Sequence, residues 1–190
     1  MVQLQALGLQ LEQLTTGPAR PEPDLSRRLE TVFSLSMPLP PFDPKQLDFV
    51  SREGDDAVTG IPVLCDRLRS PKASDASRNA VERVSEEHRR LTADVRQAHG
   101  LSGRSVGRLQ LARRFAHLHA AACCGHFWIY NRDILGEFFG REAWLSSCLN
   151  RLLAEDGTVA EDGDLERELL VRSRDHRVFS AVPSSSGMSE

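Results

Sequence analysis

SVGRLQLARRFAHLHAAACCGHFWIYNR, residues 105 to 132, is the stretch richest in large apolar and aromatic residues, and its periodicity decides the fold. Leu111, Phe115, Leu118, Ala122, Gly125 and Ile129 recur at intervals of four and three, which places them on one helical face. Leu109, Ala112, Ala116, Cys123, Phe127 and Tyr130 make a second stripe beside it. A helix apolar around most of its circumference must be buried around most of it. At 1.5 Å per residue it would be about 40 Å long, enough for the spine of a bundle. Arg113, Arg114, His117, His119 and His126 interrupt it and argue against a membrane span.

Upstream, Ser74 or Asp75 can cap a helix running to about His99, with Val81, Val84, His88, Leu91, Val95 and Ala98 three and four apart, as in a bundle seam. Its other faces carry charges of mixed sign, including the pair Glu86 and Arg90. Gly100 and Gly103 supply the turn into the central helix, and so short a link makes the two long helices antiparallel. Further out, Leu4, Leu7, Leu11 and Leu14 form an amphipathic N-terminal helix that Gly17 and Pro18 end. Asp24 is read as the N-cap of a helix through Phe33. SMPLPPFDPK, residues 36 to 45, then reads as a proline-rich strap across the bundle. Ala57, Ile61, Leu64 and Leu68 share a helical face, with Pro62 near the helix start.

Downstream, Asp133 and Gly136 break the spine, and one helix resumes from Glu137 with Phe138, Leu145, Leu149 and Leu152 on a face and Trp144 beside them. Glu137 and Glu142 flank these aromatics, which read as core rather than as a pocket wall. DLERELLVRSRD, residues 164 to 175, is a last helix, and no segment alternates with period two long enough to be a strand. The expectation is an all-α bundle of five to seven helices. It forms a single helical domain over residues 1–180, with a disordered tail at 181–190.

The 190 residues, 40% hydrophobic and 27% charged, suffice for one core. A net charge of -3 gives no basic stripe for nucleic acid. The one basic cluster, Arg104, Arg108, Arg113 and Arg114, is read as a solvated edge pairing with the acidic stretch at 155–168. Lys45 and Lys72 are the only lysines among 24 basic residues, a bias of GC-rich genomes. The N-terminus lacks a basic lead and its glutamines interrupt any apolar run, so it does not read as a signal peptide. Cys65, Cys123, Cys124 and Cys148 form no CxxC pair, and reduced thiols in a cytoplasmic protein are expected.

His119, Cys123 and His126, at i, i+4 and i+7, project from one side of the central helix and offer imidazole and thiolate to zinc. Cys124, His117 and Cys148 fall into no recognised spacing for a fourth ligand, so small residues at helix crossings are the preferred reading and no metal is expected. Cys123 and Cys124 lie mid-helix without an N-terminal dipole, which argues against a nucleophilic cysteine. Glu53, Asp55 and Asp56 sit where capping explains them. No GxGxxG, P-loop, GxSxG or HExxH occurs.

The segments ALGLQLEQL (6–14), SLSMPLPPFDPKQLDFVSREGDD (34–56) and RRFAHLHAAACCGHFWIYNRDILGEFFGREAWLSSCLNRLL (113–153) resemble the C-terminal helical region of acyl-CoA dehydrogenase-like flavoproteins of actinomycetes. The resemblance implies an acyl-CoA dehydrogenase C-terminal-domain-like bundle, FAD as cofactor and an acyl thioester as substrate. Family members also have an N-terminal helical domain and a β-domain, neither of which is recognisable here. The expectation is therefore a fragment or a separately encoded bundle, incomplete on its own and binding no FAD alone. It would pair with itself or with a complementary flavoprotein subunit, with the Leu4, Leu7, Leu11, Leu14 face as the contact between copies. No residue here matches the family's catalytic base or flavin contacts. The alternative is a free-standing helical interaction or regulatory protein without a cofactor.

Overall fold

The computed structural model describes residues 2–17, 21, 23–38, 41, 44, 54–69, 74–98, 105–154 and 163–174, and these are all-α. Nine helices are found among them: α1 (Val2–Thr16), α2 (Asp24–Phe33), α3 (Asp56–Thr59), α4 (Ile61–Leu68), α5 (Asp75–Gln97), α6 (Val106–Asn131), α7 (Gly136–Phe139), α8 (Glu142–Leu152) and α9 (Gly163–Arg174). The count exceeds the expected five to seven because two apparent helices are each broken. Gly60 divides α3 from α4, letting Pro62 sit in the first turn of α4, where its missing N–H costs nothing. Gly140 ends α7 and Arg141 is extended before α8, so the single helix expected from Glu137 is two. Gly136 opens α7 at φ +70°, a conformation that only glycine adopts cheaply.

α6 is the spine. Ser105 caps it by accepting from the Arg108 N–H, and Ala112, Phe115, Leu118, Ala121, Ala122, Gly125 and Trp128 are buried along it. α5 is capped by Ser74 and packs against α6 through Val81, Val84, Leu91 and Val95. Arg114, early in α6, meets Glu87 at 2.8 Å and Asp94 at 2.6 Å in the later part of α5, while Ser77 and Val81 line the same small cavity as Trp128 and Arg132. Those two registers make the pair antiparallel. The turn at Gly100 and Gly103 lies outside the described residues.

α8 runs parallel to α5. Ser77 contacts Glu142 and Ser146 at one end, and Arg83 donates to Asn150 and to the Leu153 carbonyl at the other. α1 lies along the first half of α6, tied by Arg108 Nε donating to the Gly8 carbonyl at 2.7 Å. Leu11 is fully buried and Leu7 and Leu14 pack on the core, so the face expected to join copies is covered within the chain by α6. The Leu4 side chain lies outside the described residues.

α2, α3 and α4 cover the second half of α6. α2 carries no side-chain cap, because Asp24 is its first helical residue and Pro23 holds the cap position. α9 reaches α7, with the Arg172 guanidinium 4.4 Å from the centre of the Phe138 ring. Phe138, Phe139 and Trp144 pack edge to face. Half of the proline-rich strap and all of residues 175–190 lie outside the described residues. No described helix is long and apolar enough to cross a membrane.

Candidate functional site

The three residues singled out on α6 do not converge. His126 is buried, stacks on Phe33 with ring centres 5.5 Å apart, and places Nε2 3.1 Å from the Ala57 carbonyl. A carbonyl only accepts, so Nε2 carries the proton and is unavailable as a ligand. Burial pushes its pKa below the ordinary value, and the ring is a neutral link between α6 and α3.

His119 and Cys123, one turn apart, do meet, with Sγ 3.4 Å from Nε2. On the opposite edge of the ring, Nδ1 lies 3.0 Å from Asp55 Oδ2, an ion contact set off the N–H axis rather than a linear hydrogen bond. Asp55 is itself fixed, because its Oδ1 accepts from the Val58 N–H at 3.0 Å as the N-cap of α3. Phe115, one turn before His119, stacks on the ring. The result is a row: a capping carboxylate, an imidazole, a thiol.

The electrostatics follow from that row. His119 is pushed up to about 10, first by Asp55 and then by Cys123, against the opposing effect of burial. Burial pushes Asp55 upward, but His119 and the N–H groups of Val58 and Ala57 outweigh it and hold the carboxyl below its ordinary value. At neutral pH the ring is an imidazolium between two electron-rich groups. Asp55 and Cys123 touch opposite edges of the ring, so they cannot share one metal ion with it. Among the described residues no group of histidine, cysteine and carboxylate side chains is arranged to hold a metal.

Burial pushes the Cys65 thiol up to about 11 and Cys148 up to about 12, and it raises Cys124 as well. These three are packing thiols. Capping at Asp55 was legible in the sequence, but the second use of its carboxylate was not, because α1, α3 and α6 must first assemble. The Leu14 carbonyl accepting from the Asp55 N–H at 3.2 Å shows how α1 helps to set it.

Other expected sites resolve into structure. Among the described residues Arg114 pairs with Glu87 and Asp94 of α5 rather than with the acidic stretch at 155–168, of which Glu168 pairs with Arg141 and Arg172. The reason is reach, since Arg114 projects from the buried seam between the long helices. Glu142 serves no aromatic pocket and accepts from the Ser74 N–H and the Ser77 hydroxyl.

The concavities among the described residues include a groove and a small cavity. One is a surface groove of about 970 Å³ whose lining mixes Arg69, Arg83, Arg89 and Arg90 with Glu82 and Glu86. The other holds about 30 Å³ beneath Trp128, Ser77 and Ser146. Small-molecule sites are mostly apolar clefts of roughly 300–1,000 Å³. The groove is more polar than such clefts and the cavity is smaller. Compared with models of protein families, with curated proteins and with solved structures, the chain has no match.

Proposed function

We propose that this chain is a helical interaction module, cytoplasmic and without a cofactor of its own, that works by docking on another polypeptide. The observation that supports this reading is an apolar group where the C-terminal ends of α2 and α6 meet. Val32, Leu35, Met37 and Ile134 are 63%, 46%, 42% and 45% exposed. Asn131 organises this end, because its Oδ1 accepts from the Leu35 N–H at 2.7 Å and its own carbonyl accepts from the Ile134 N–H at 2.8 Å. Clustered exposed apolar side chains rimmed by polar ones mark docking surfaces.

A sharper form of the proposal makes the partner an acyl-CoA dehydrogenase-like flavoprotein subunit, which would hold FAD and the acyl thioester. What supports it is the resemblance of residues 6–14, 34–56 and 113–153, which include Leu35, Met37 and Ile134. The Leu7, Leu11, Leu14 seam is covered inside the chain, which leaves the α2–α6 end as the surface offered to a partner.

Sedimentation velocity at micromolar concentration tests the docking surface. Without its partner the wild-type chain is expected to self-associate and to bind a hydrophobic dye, and Leu35→Asp with Ile134→Asp should restore a dye-silent monomer. A wild-type monomer that binds no dye would refute the surface. A purified chain that retains a bound-flavin absorption band would refute the cofactor-free part of the proposal.

A further inference from the structure

The row Asp55, His119, Cys123 plays no part in that docking surface. Cys65 lies against the Val81 carbonyl, and Cys124 and Cys148 are held as thiols by burial. Cys123, half-buried like Cys124 and Cys148, differs from all three in having a ring nitrogen on its sulfur.

We propose that Cys123, paired with His119 and oriented through Asp55, is a reactive thiol site whose substrate is a low-molecular-mass disulfide. The geometry supplies what such a site needs. Asp55, locked by the Val58 N–H, fixes the Nδ1 edge, and that leaves Nε2–H directed at Sγ, where a cation stabilises negative charge on sulfur.

The substrate class follows from what the site lacks. Acyl transfer builds charge on an oxygen and requires N–H donors aimed at it. Here the Val58 N–H is taken by Asp55, and Cys123 lies mid-helix, where backbone N–H groups are spent in the ladder. Disulfide exchange needs no oxyanion donors. It needs an accessible sulfur nucleophile and a proton for the departing thiolate.

In the exchange, the Cys123 thiol gives its proton to solvent, and the sulfur, held beside the His119 imidazolium, attacks one sulfur of R–S–S–R. A Cys123–S–S–R bond forms as the S–S bond of the reagent breaks. The departing RS⁻ takes that bond's electron pair and then a proton from Nε2, which the ring regains from solvent. The balance is one thiol and one disulfide giving one mixed disulfide and one thiol, with the reagent as the only oxidant.

Oxidised glutathione is the probe, with acid quenching and fragment mass spectrometry to place the adduct. On the folded wild-type chain, Cys123 is expected to react at least about tenfold faster than Cys65, Cys124 or Cys148. His119→Gln should slow it by about tenfold and Asp55→Asn, which keeps a helix cap, by less. Cys124→Ser should leave it unchanged. Adduct forming first at any other cysteine would overturn the proposal, and so would a His119→Gln chain with a normal melting curve that reacts as fast as wild type. The wild-type order of reaction decides the matter even where a variant does not fold.

Discussion

Asn131, 1% exposed, answers three backbone groups with one amide. Nδ2 donates to the Phe33 and Phe127 carbonyls, each at 2.7 Å, and Oδ1 accepts from the Leu35 N–H at 2.7 Å. Each such bond nets about 1 kcal/mol, and a buried group left without its partner costs about 1–3 kcal/mol. Asn131→Ala should therefore lower stability by about 2–4 kcal/mol in urea denaturation. A loss below about 1 kcal/mol would mean that apolar contacts alone hold α2 to α6. His119 makes a different kind of prediction, in pH. Its folded value of about 10 lies above the ordinary 6.5, so its contact with Asp55 stabilises fully below about 6.5 and is lost as pH rises toward 10. The ring is 42% exposed, and solvent screening keeps the effect modest. The urea midpoint of the wild-type chain should fall more between pH 7 and 10 than that of His119→Gln, and parallel profiles would contradict the ion contact. His88 and His126, held below the ordinary value by burial, act in the other direction and favour unfolding as pH drops below about 6.5.

Elements cross closely where a small residue allows it. A Cβ added at Gly125 would stand 2.7 Å from Leu64 Cδ2 and 3.1 Å from its Cδ1, and Leu64 is itself fully buried. Gly125→Ala must push α4 from α6 or force Leu64 off its rotamer, an overpacking cost of about 1–3 kcal/mol. Phe115→Ala, at a residue 3% exposed, should cost about 3–5 kcal/mol through the cavity it leaves. If the two losses measured by thermal unfolding were reversed in order, the crossing at α4 would be tighter and the α6 seam looser than described. The elements themselves were legible because their signals are local: Ser74, Ser105 and the three-and-four spacing all act within a turn or two. The breaks at Gly60 and Gly140 were harder to see, because the apolar spacing continues across both while the backbone does not. The destinations of polar groups were least legible. Arg114 choosing α5, Asp55 reaching His119 and Asn131 binding Phe33 each depend on which helices become neighbours, and periodicity carries no such information.

On the scale of the whole molecule, the core is continuous rather than divided. One buried cluster joins Leu11 of α1, Ile61 of α4, Leu91 of α5, Leu118 of α6 and Leu149 of α8. α1, α2, α3, α4, α5 and α8 all touch α6. Loss of any one of them would open apolar surface on at least one other, so partial unfolding gains little chain entropy for the burial it forfeits. The two tryptophans report on different parts of this assembly. Trp128 is buried on the spine beside the α5 and α8 residues lining the small cavity, and Trp144 is half-buried among Phe139 and the α7–α8 joint. A chain whose core is shared should lose both environments together with its helices. We expect thermal unfolding followed by tryptophan fluorescence in Trp128→Phe and in Trp144→Phe, and by far-ultraviolet circular dichroism, to give one coincident transition with no sheet signal. A Trp144 transition preceding the others would instead show that α7, α8 and α9 unfold as a separate unit, and the continuous core would then stop at α6.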